Sequence, residues 1–142
     1  MRITQKADYA LRAMLDLALH APAGGGARSS DIAQRTHVPR KFLEAILLEL
    51  RKAGFVASKR GPDGGHWLAR DAVRVTVGAI LAAIDGPVVR GQGAGLGARA
   101  EEPCLQSLWA RVDEAVHAVV DGVTLEDLRR EAGARAVLDF NI

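Results

Sequence analysis

The amino-acid sequence predicts a mainly α protein with one small β-hairpin, an α+β class, and three observations carry that prediction. Apolar residues recur at spacings of three and four through most of the 142 residues, the mark of helices buried along one side. Between Phe55 and Ala69 that period gives way to two short runs around a glycine-laden turn. From Pro103 onward a single narrow stripe of Leu105, Leu108, Trp109, Val112, Val116, Val119 and Val123 follows one side of a long helix. Together with the glycine-rich stretch between them, these give a winged helix-turn-helix over residues 1–87, a flexible glycine-rich loop over 88–102, and a dimerisation helix with its tail over 103–142.

Residues 6–20 form the first helix. Tyr9, Ala10, Ala13, Met14 and Leu17 make one apolar stripe and Leu11, Leu15, Ala18 and Leu19 a second beside it, which leaves Lys6, Arg12 and Asp16 for water. Pro22 and the glycines that follow end it in a loop. Ser29-Ser30-Asp31 supplies side-chain oxygens to cap a short second helix carrying Ile32 and Ala33. His37-Val38-Pro39 breaks that helix, because a residue before proline is pushed out of the helical region while Pro39 suits a first helical turn. In the third helix, residues 39–53, Phe42, Leu43, Ile46, Leu47 and Leu50 face inward and Arg40, Lys41, Glu44, Arg51 and Lys52 outward. Gly54 stops it by taking the left-handed conformation.

Strands at 55–58 and 66–69 bracket the basic turn Lys59-Arg60-Gly61-Pro62-Asp63-Gly64-Gly65, the wing. Thr76 caps a helix through Val77, Ile80, Leu81 and Ile84 that Asp85-Gly86-Pro87 ends. Residues 88–102 have no period. Their alternating glycines lack the flanking strand and the GK[ST] ending of a nucleotide loop. After Gly122, Thr124-Leu125-Glu126-Asp127-Leu128 opens a short last helix with a capped, acidic first turn.

Charge divides the chain. Residues 1–70 hold twelve Lys and Arg against six Asp and Glu, and residues 71–142 hold seven against eleven, so a net +6 half precedes a net −4 half. A polyanion-facing half and a separate assembly or sensing half are the expectation, with double-stranded DNA as the partner. No run of 18 apolar residues and no signal-like N-terminus occurs, so no membrane partner and a cytoplasmic location are expected. One cysteine, Cys104, excludes an intrachain disulfide, and His20, His37, His66 and His117 show no metal-ligand spacing. Neither a Ser/His/Asp set nor a carboxylate pair stands out, so no catalytic residue is assigned and an enzyme is not expected.

For DNA, the start of the 39–53 helix fits the major groove, with Arg40, Lys41 and Glu44 placed to read or clamp and Arg51 further along. Glu44 either accepts from a cytosine amino group or stays in solvent. In the wing, Arg60 beside Lys59 can approach a minor groove or a phosphate closely, since Gly61, Gly64 and Gly65 remove side-chain bulk. Lys6, Tyr9, Ser29 and Ser30 suit phosphate positioning, or else an ordinary surface charge, core aromatic or cap. A winged helix that binds protein in place of DNA is the alternative.

Several segments together carry a resemblance. Met1-Arg2-Ile3-Thr4, Tyr9-Ala10-Leu11, Met14-Leu15-Asp16-Leu17-Ala18, Leu50-Arg51-Lys52-Ala53-Gly54-Phe55-Val56, Arg60-Gly61-Pro62-Asp63-Gly64-Gly65, Cys104-Leu105-Gln106-Ser107-Leu108-Trp109 and Val123-Thr124-Leu125-Glu126-Asp127-Leu128 follow in order. In that order the chain resembles the Rrf-type (IscR/NsrR-like) family of bacterial winged-helix transcriptional regulators. The resemblance implies a homodimeric regulator, a repressor in the simplest case, whose long C-terminal helices pair and whose wings reach the minor groove. The dimer interface would be Leu105, Leu108, Trp109, Val112, Val116 and Val119. Cluster-binding members carry three cysteines in the loop before the long helix, and only the last is matched here, by Cys104. Asp8, in the region from which some members offer a carboxylate, brings the set to two ligands, so no iron–sulfur cofactor is expected. Cys104 stays a candidate thiol sensor at a helix start, opposed by Glu101 and Glu102. The effector is not identified by the sequence.

Overall fold

The computed structural model describes residues 3–22, 25–86 and 102–140. Its elements, in order, are α1 (Gln5–His20), α2 (Ser29–Thr36), α3 (Arg40–Lys52), β1 (Val56–Lys59), β2 (Gly65–Leu68), a 3₁₀ turn (Ala72–Arg74), α4 (Val77–Asp85), α5 (Pro103–Val120) and α6 (Leu125–Phe140). The expected winged helix-turn-helix is present. The glycine-rich loop of 88–102 lies, apart from Glu102, outside the described residues.

Local chemistry explains the helix ends. Thr4 caps α1 by accepting from the Ala7 amide at 3.1 Å, and Thr76 caps α4 from Ala79 at 3.1 Å. Thr124 and Asp127 form a reciprocal capping box at the start of α6, with bonds of 2.9 and 3.1 Å. Gly54, at φ +85°, closes α3: its amide reaches the Arg51 carbonyl, and the Phe55 amide the Leu50 carbonyl. That paired closure turns the chain sharply into the wing.

Several expectations are corrected, among them the strand bounds, which shift by one residue to 56–59 and 65–68. The residue capping α2 is Arg28, with no side-chain bond, because the Ser29 hydroxyl is turned toward His66. Pro39 stands just before α3 in an extended conformation, the N-cap position, so the helix begins one residue later. The last helix is long, sixteen residues, and only its first turns pack inward, through Leu125, while Val137 and Leu138 near its end are exposed. Phe42 points out, 58% exposed, since Leu43, Ile46, Leu47 and Leu50 already fill the side of α3 that meets the core.

Met14, Leu17, Ile32, Leu43, Leu50, Val56, Val75, Ile80 and Leu125 are the large side chains sealed inside. Leu125 belongs to α6, so the C-terminal segment closes the same core that α1, α3 and α4 build. A short antiparallel bridge, Thr76 to Thr124, pins that closure. Asp16, expected in water, is buried at 6% exposure: Arg35 of α2 grips both its oxygens at 2.9 Å. This bidentate pair holds α2 against α1 and so orients the helix-turn-helix. By contrast, no residue of α5 is buried, and Leu105, Leu108, Trp109 and Val119 are exposed.

Candidate nucleic-acid interface

The wing is a two-stranded antiparallel ribbon in which Val56 faces Leu68, Ala57 faces Trp67, Ser58 faces His66 and Lys59 faces Gly65. Ala27, just before α2, adds one more rung: its amide and carbonyl each bond His66 at 2.8 Å. Gly65, at φ +140°, makes that contact possible, because a Cβ there would lie 2.7 Å from the Gly26 carbonyl carbon. Gly64 is equally constrained, since its Cβ would sit 2.1 Å from the Lys59 carbonyl oxygen. Gly61, at φ +109°, has open space around it. Two of the three wing glycines therefore serve the hairpin's own closure, and Gly61 alone leaves room beside Arg60. Arg28 ties the tip down by donating to the Pro62 carbonyl at 2.7 Å.

Between α3 and the wing lies an open cleft of about 350 Å³. Arg51, Lys59 and Arg60 supply its positive charge, and Ser29, Ser58 and His66 its polar floor. His66 bridges the two serines, with Nδ1 2.6 Å from the Ser58 Oγ and Nε2 3.0 Å from the Ser29 Oγ. The sequence reading missed His66. The register that sets it opposite Ser58 is the one signal that could have found it.

Burial, and then the positive charge of Arg51, push the His66 imidazole below its ordinary value, with Glu44 acting the other way. The folded state thus favours the neutral ring. Between the depressed folded value and the ordinary value near 6.5, the unfolded chain binds more protons, so stability is lost as pH falls through that window and complete above it. Melting curves at stepped pH should show this loss in the wild type, and His66→Gln should lack that part of the slope.

The other predicted residues fall around α3. Arg40 and Glu44 lie one turn apart, with Nε 3.4 Å from Oε1, both exposed. Glu44 therefore faces outward beside a cation, which offsets its repulsion from phosphate. Lys41 projects outward from the first turn, and Ser30 is exposed on α2. On the opposite flank, Lys6 meets Glu49 at 2.7 Å, and the Tyr9 hydroxyl accepts from Gln5 at 2.7 Å. Arg51, Lys59 and Arg60 thus line the cleft between α3 and the hairpin, Arg40 stands beside it through Glu44, and Lys41 and Lys6 lie outside its lining. Cys104 is exposed on the first turn of α5. Among the described residues no group of three or more His, Cys, Asp or Glu is placed to hold a metal ion. Nor is any described helix long and apolar enough to cross a membrane.

Comparison with known proteins agrees with this geometry. Residues 3–131 match the family model described as Rrf2, iron-dependent transcriptional regulator. The HTH-type transcriptional regulator IscR of Serratia proteamaculans is 38% identical over 142 residues, covering 98% of this chain and 85% of that protein. IscR of Yersinia enterocolitica is 40% identical over 131 residues, 90% of this chain and 79% of its own. Among solved structures, CymR (YrzC), the global cysteine regulator of B. subtilis, superposes with a TM-score of 0.82 at 34% identity, covering 92% of this chain and 98% of CymR. T. potens IscR gives 0.77 at 31% identity, covering 93% and 88%.

Proposed function

Because this chain belongs to the Rrf2 family and is a DNA-binding transcriptional regulator, not an enzyme, we propose that it acts in the cytoplasm as a homodimeric repressor. In this reading α3 enters the major groove and the hairpin reaches the adjoining minor groove. The observation that carries it is the cleft between α3 and the wing that Arg51, Lys59 and Arg60 line, with Arg40 beside it, while exposed apolar side chains of α5 lie on a separate helix. Arg40, Lys41 and Glu44 meet base edges, while Lys6, Tyr9, Ser29, Ser30 and Arg51 position the backbone. Lys59 and Arg60, with the bulk-free turn at Gly61, contact the minor groove or its flanking phosphates. Leu105, Leu108, Trp109, Val112, Val116 and Val119 join the two copies. A bound pair excludes other proteins from the same duplex, so repression is the simplest outcome.

A resident iron–sulfur cluster does not fit the donor set. Such clusters are held mainly by thiolates, and each chain brings one cysteine. Asp8 is already engaged by Arg12, whose Nε donates to it at 2.9 Å. The signal is therefore read without a cluster in this proposal.

A salt titration tests the DNA geometry. A dimer neutralising six to eight phosphates should show a log–log slope of about −5 to −7 for duplex binding. Arg60→Ala, which removes one cation from each copy, should weaken binding and make the slope shallower by about 2 while leaving the oligomer intact. An unchanged slope would take Arg60 off the DNA.

A further inference from the structure

The His66 ring joins two hydroxyls that come from different elements, Ser58 of β1 at its Nδ1 and Ser29 of α2 at its Nε2. A neutral imidazole has one N–H and one bare nitrogen, so one serine accepts from the ring while the other spends its own hydrogen on it. Only one hydroxyl hydrogen is then left over. Once the ring is protonated, both nitrogens donate and both hydroxyls can donate elsewhere. Among the described residues neither hydroxyl has a second partner. Both line the cleft that Arg51, Lys59 and Arg60 also line. Resting on the reading of this cleft as part of the DNA interface, we propose that Ser29, Ser58 and His66 form a binding site for a backbone phosphate, in which the imidazole takes up a proton as the duplex binds.

The ligand's chemistry follows from what converges there. Two hydroxyls and three cations share the cleft with one carboxylate, Glu44, whose charge Arg40 answers at 3.4 Å. A negatively charged group that only accepts hydrogen bonds fits such a set, and a duplex repeats one along its whole length, the phosphate diester. The charged groups acting on the ring are Arg51 and Glu44 of α3, while Lys59 and Arg60 reach the cleft from the hairpin. The Ala27 backbone, paired with that of His66, adds no charge. Burial and Arg51 keep the ring neutral in the free protein, against Glu44. A phosphate seated beside Arg51 offsets that cation and accepts the released hydroxyl hydrogens, so the complex favours the protonated ring. Affinity therefore rises as pH falls from the bound ring's value toward the free ring's, and is level below it.

The test uses the full chain, an operator selected from random duplexes, and calorimetry in two buffers of different ionisation enthalpy, which counts protons directly. Binding should show net uptake, at most one proton per copy, and affinity should rise about tenfold per copy between about pH 8 and about pH 6. His66→Gln, which cannot titrate, should show neither, with circular dichroism to check its fold. Methylphosphonate, which removes the charge of a single phosphate, should abolish the uptake at one position of each half-site; uptake indifferent to every position would contradict the site. Inorganic phosphate titrated into the DNA-free protein tests for a free anion: uptake with that ion and none with duplex would take the site away from DNA. No uptake by the wild type, or uptake retained in His66→Gln, would overturn the assignment while salt-dependent DNA binding stands. Failure to enrich any sequence, together with binding insensitive to salt, would overturn the DNA reading and this inference with it.

Discussion

Leu108→Glu combined with Trp109→Glu should yield a folded monomer whose affinity for duplex DNA is lower by about 10²- to 10⁴-fold. The fold should survive because α5 contributes no buried residue, and both side chains already stand in solvent in the single chain. What is lost is the second reading head. When two heads are joined, binding of one raises the effective concentration of the other at the neighbouring half-site, and separation removes that gain without altering a DNA contact. Two charges facing their copies across an apolar seam oppose association through desolvation and repulsion. Sedimentation would report the mass, circular dichroism the retained helix, and fluorescence anisotropy the affinity. A variant that stays dimeric would move the interface off α5.

The second large effect is expected far from DNA, at the pair that binds α2 to α1. Arg35→Ala should cost about 3 kcal/mol, because it leaves the Asp16 carboxylate buried with its two charge-assisted bonds gone. The His20 ring, with Nε2 3.8 Å from Oδ1, is too distant to replace them. Asp16→Ala should cost less, about 2 kcal/mol, since Arg35 is 36% exposed in its side chain and can be rehydrated. The double variant should be no worse than Arg35→Ala alone. Denaturant midpoints for the three variants measure the order, and a reversal of the two single variants would contradict it.

Asp16 also marks where sequence reasoning stops. A carboxylate on an amphipathic helix reads as solvent-facing unless its partner is known, and that partner lies nineteen residues away on another helix. Many local signals were legible: the Thr76 and Thr124 caps, the Gly54 closure and the hairpin are dictated by neighbours within a few residues, whereas the cap of α2 was misread because Ser29 turns to a distant partner. Phe42 went the other way. A period of three and four admits it to the buried side, and only the three-dimensional packing of Leu43, Ile46, Leu47 and Leu50 shows that side to be full. The length of α6 was hidden because its later turns bury no apolar side: Val137 and Leu138 are exposed, so they carry no amphipathic period to read. In the candidate interface, the cationic face was legible from charge and order. His66 and Ser58 were not, since the ring's link to Ser29 spans thirty-seven residues. Gly64 and Gly65 read as clearing bulk beside Arg60 for DNA, yet the steric demand on them comes from Lys59 and the Gly26–Ala27 backbone.

The most direct test of the paired reading heads is the mass of the protein on its selected duplex, measured by analytical ultracentrifugation at moderate salt. Two chains per duplex, bound at low concentration without an intermediate carrying one, is the predicted result. One chain per duplex at saturation would contradict it.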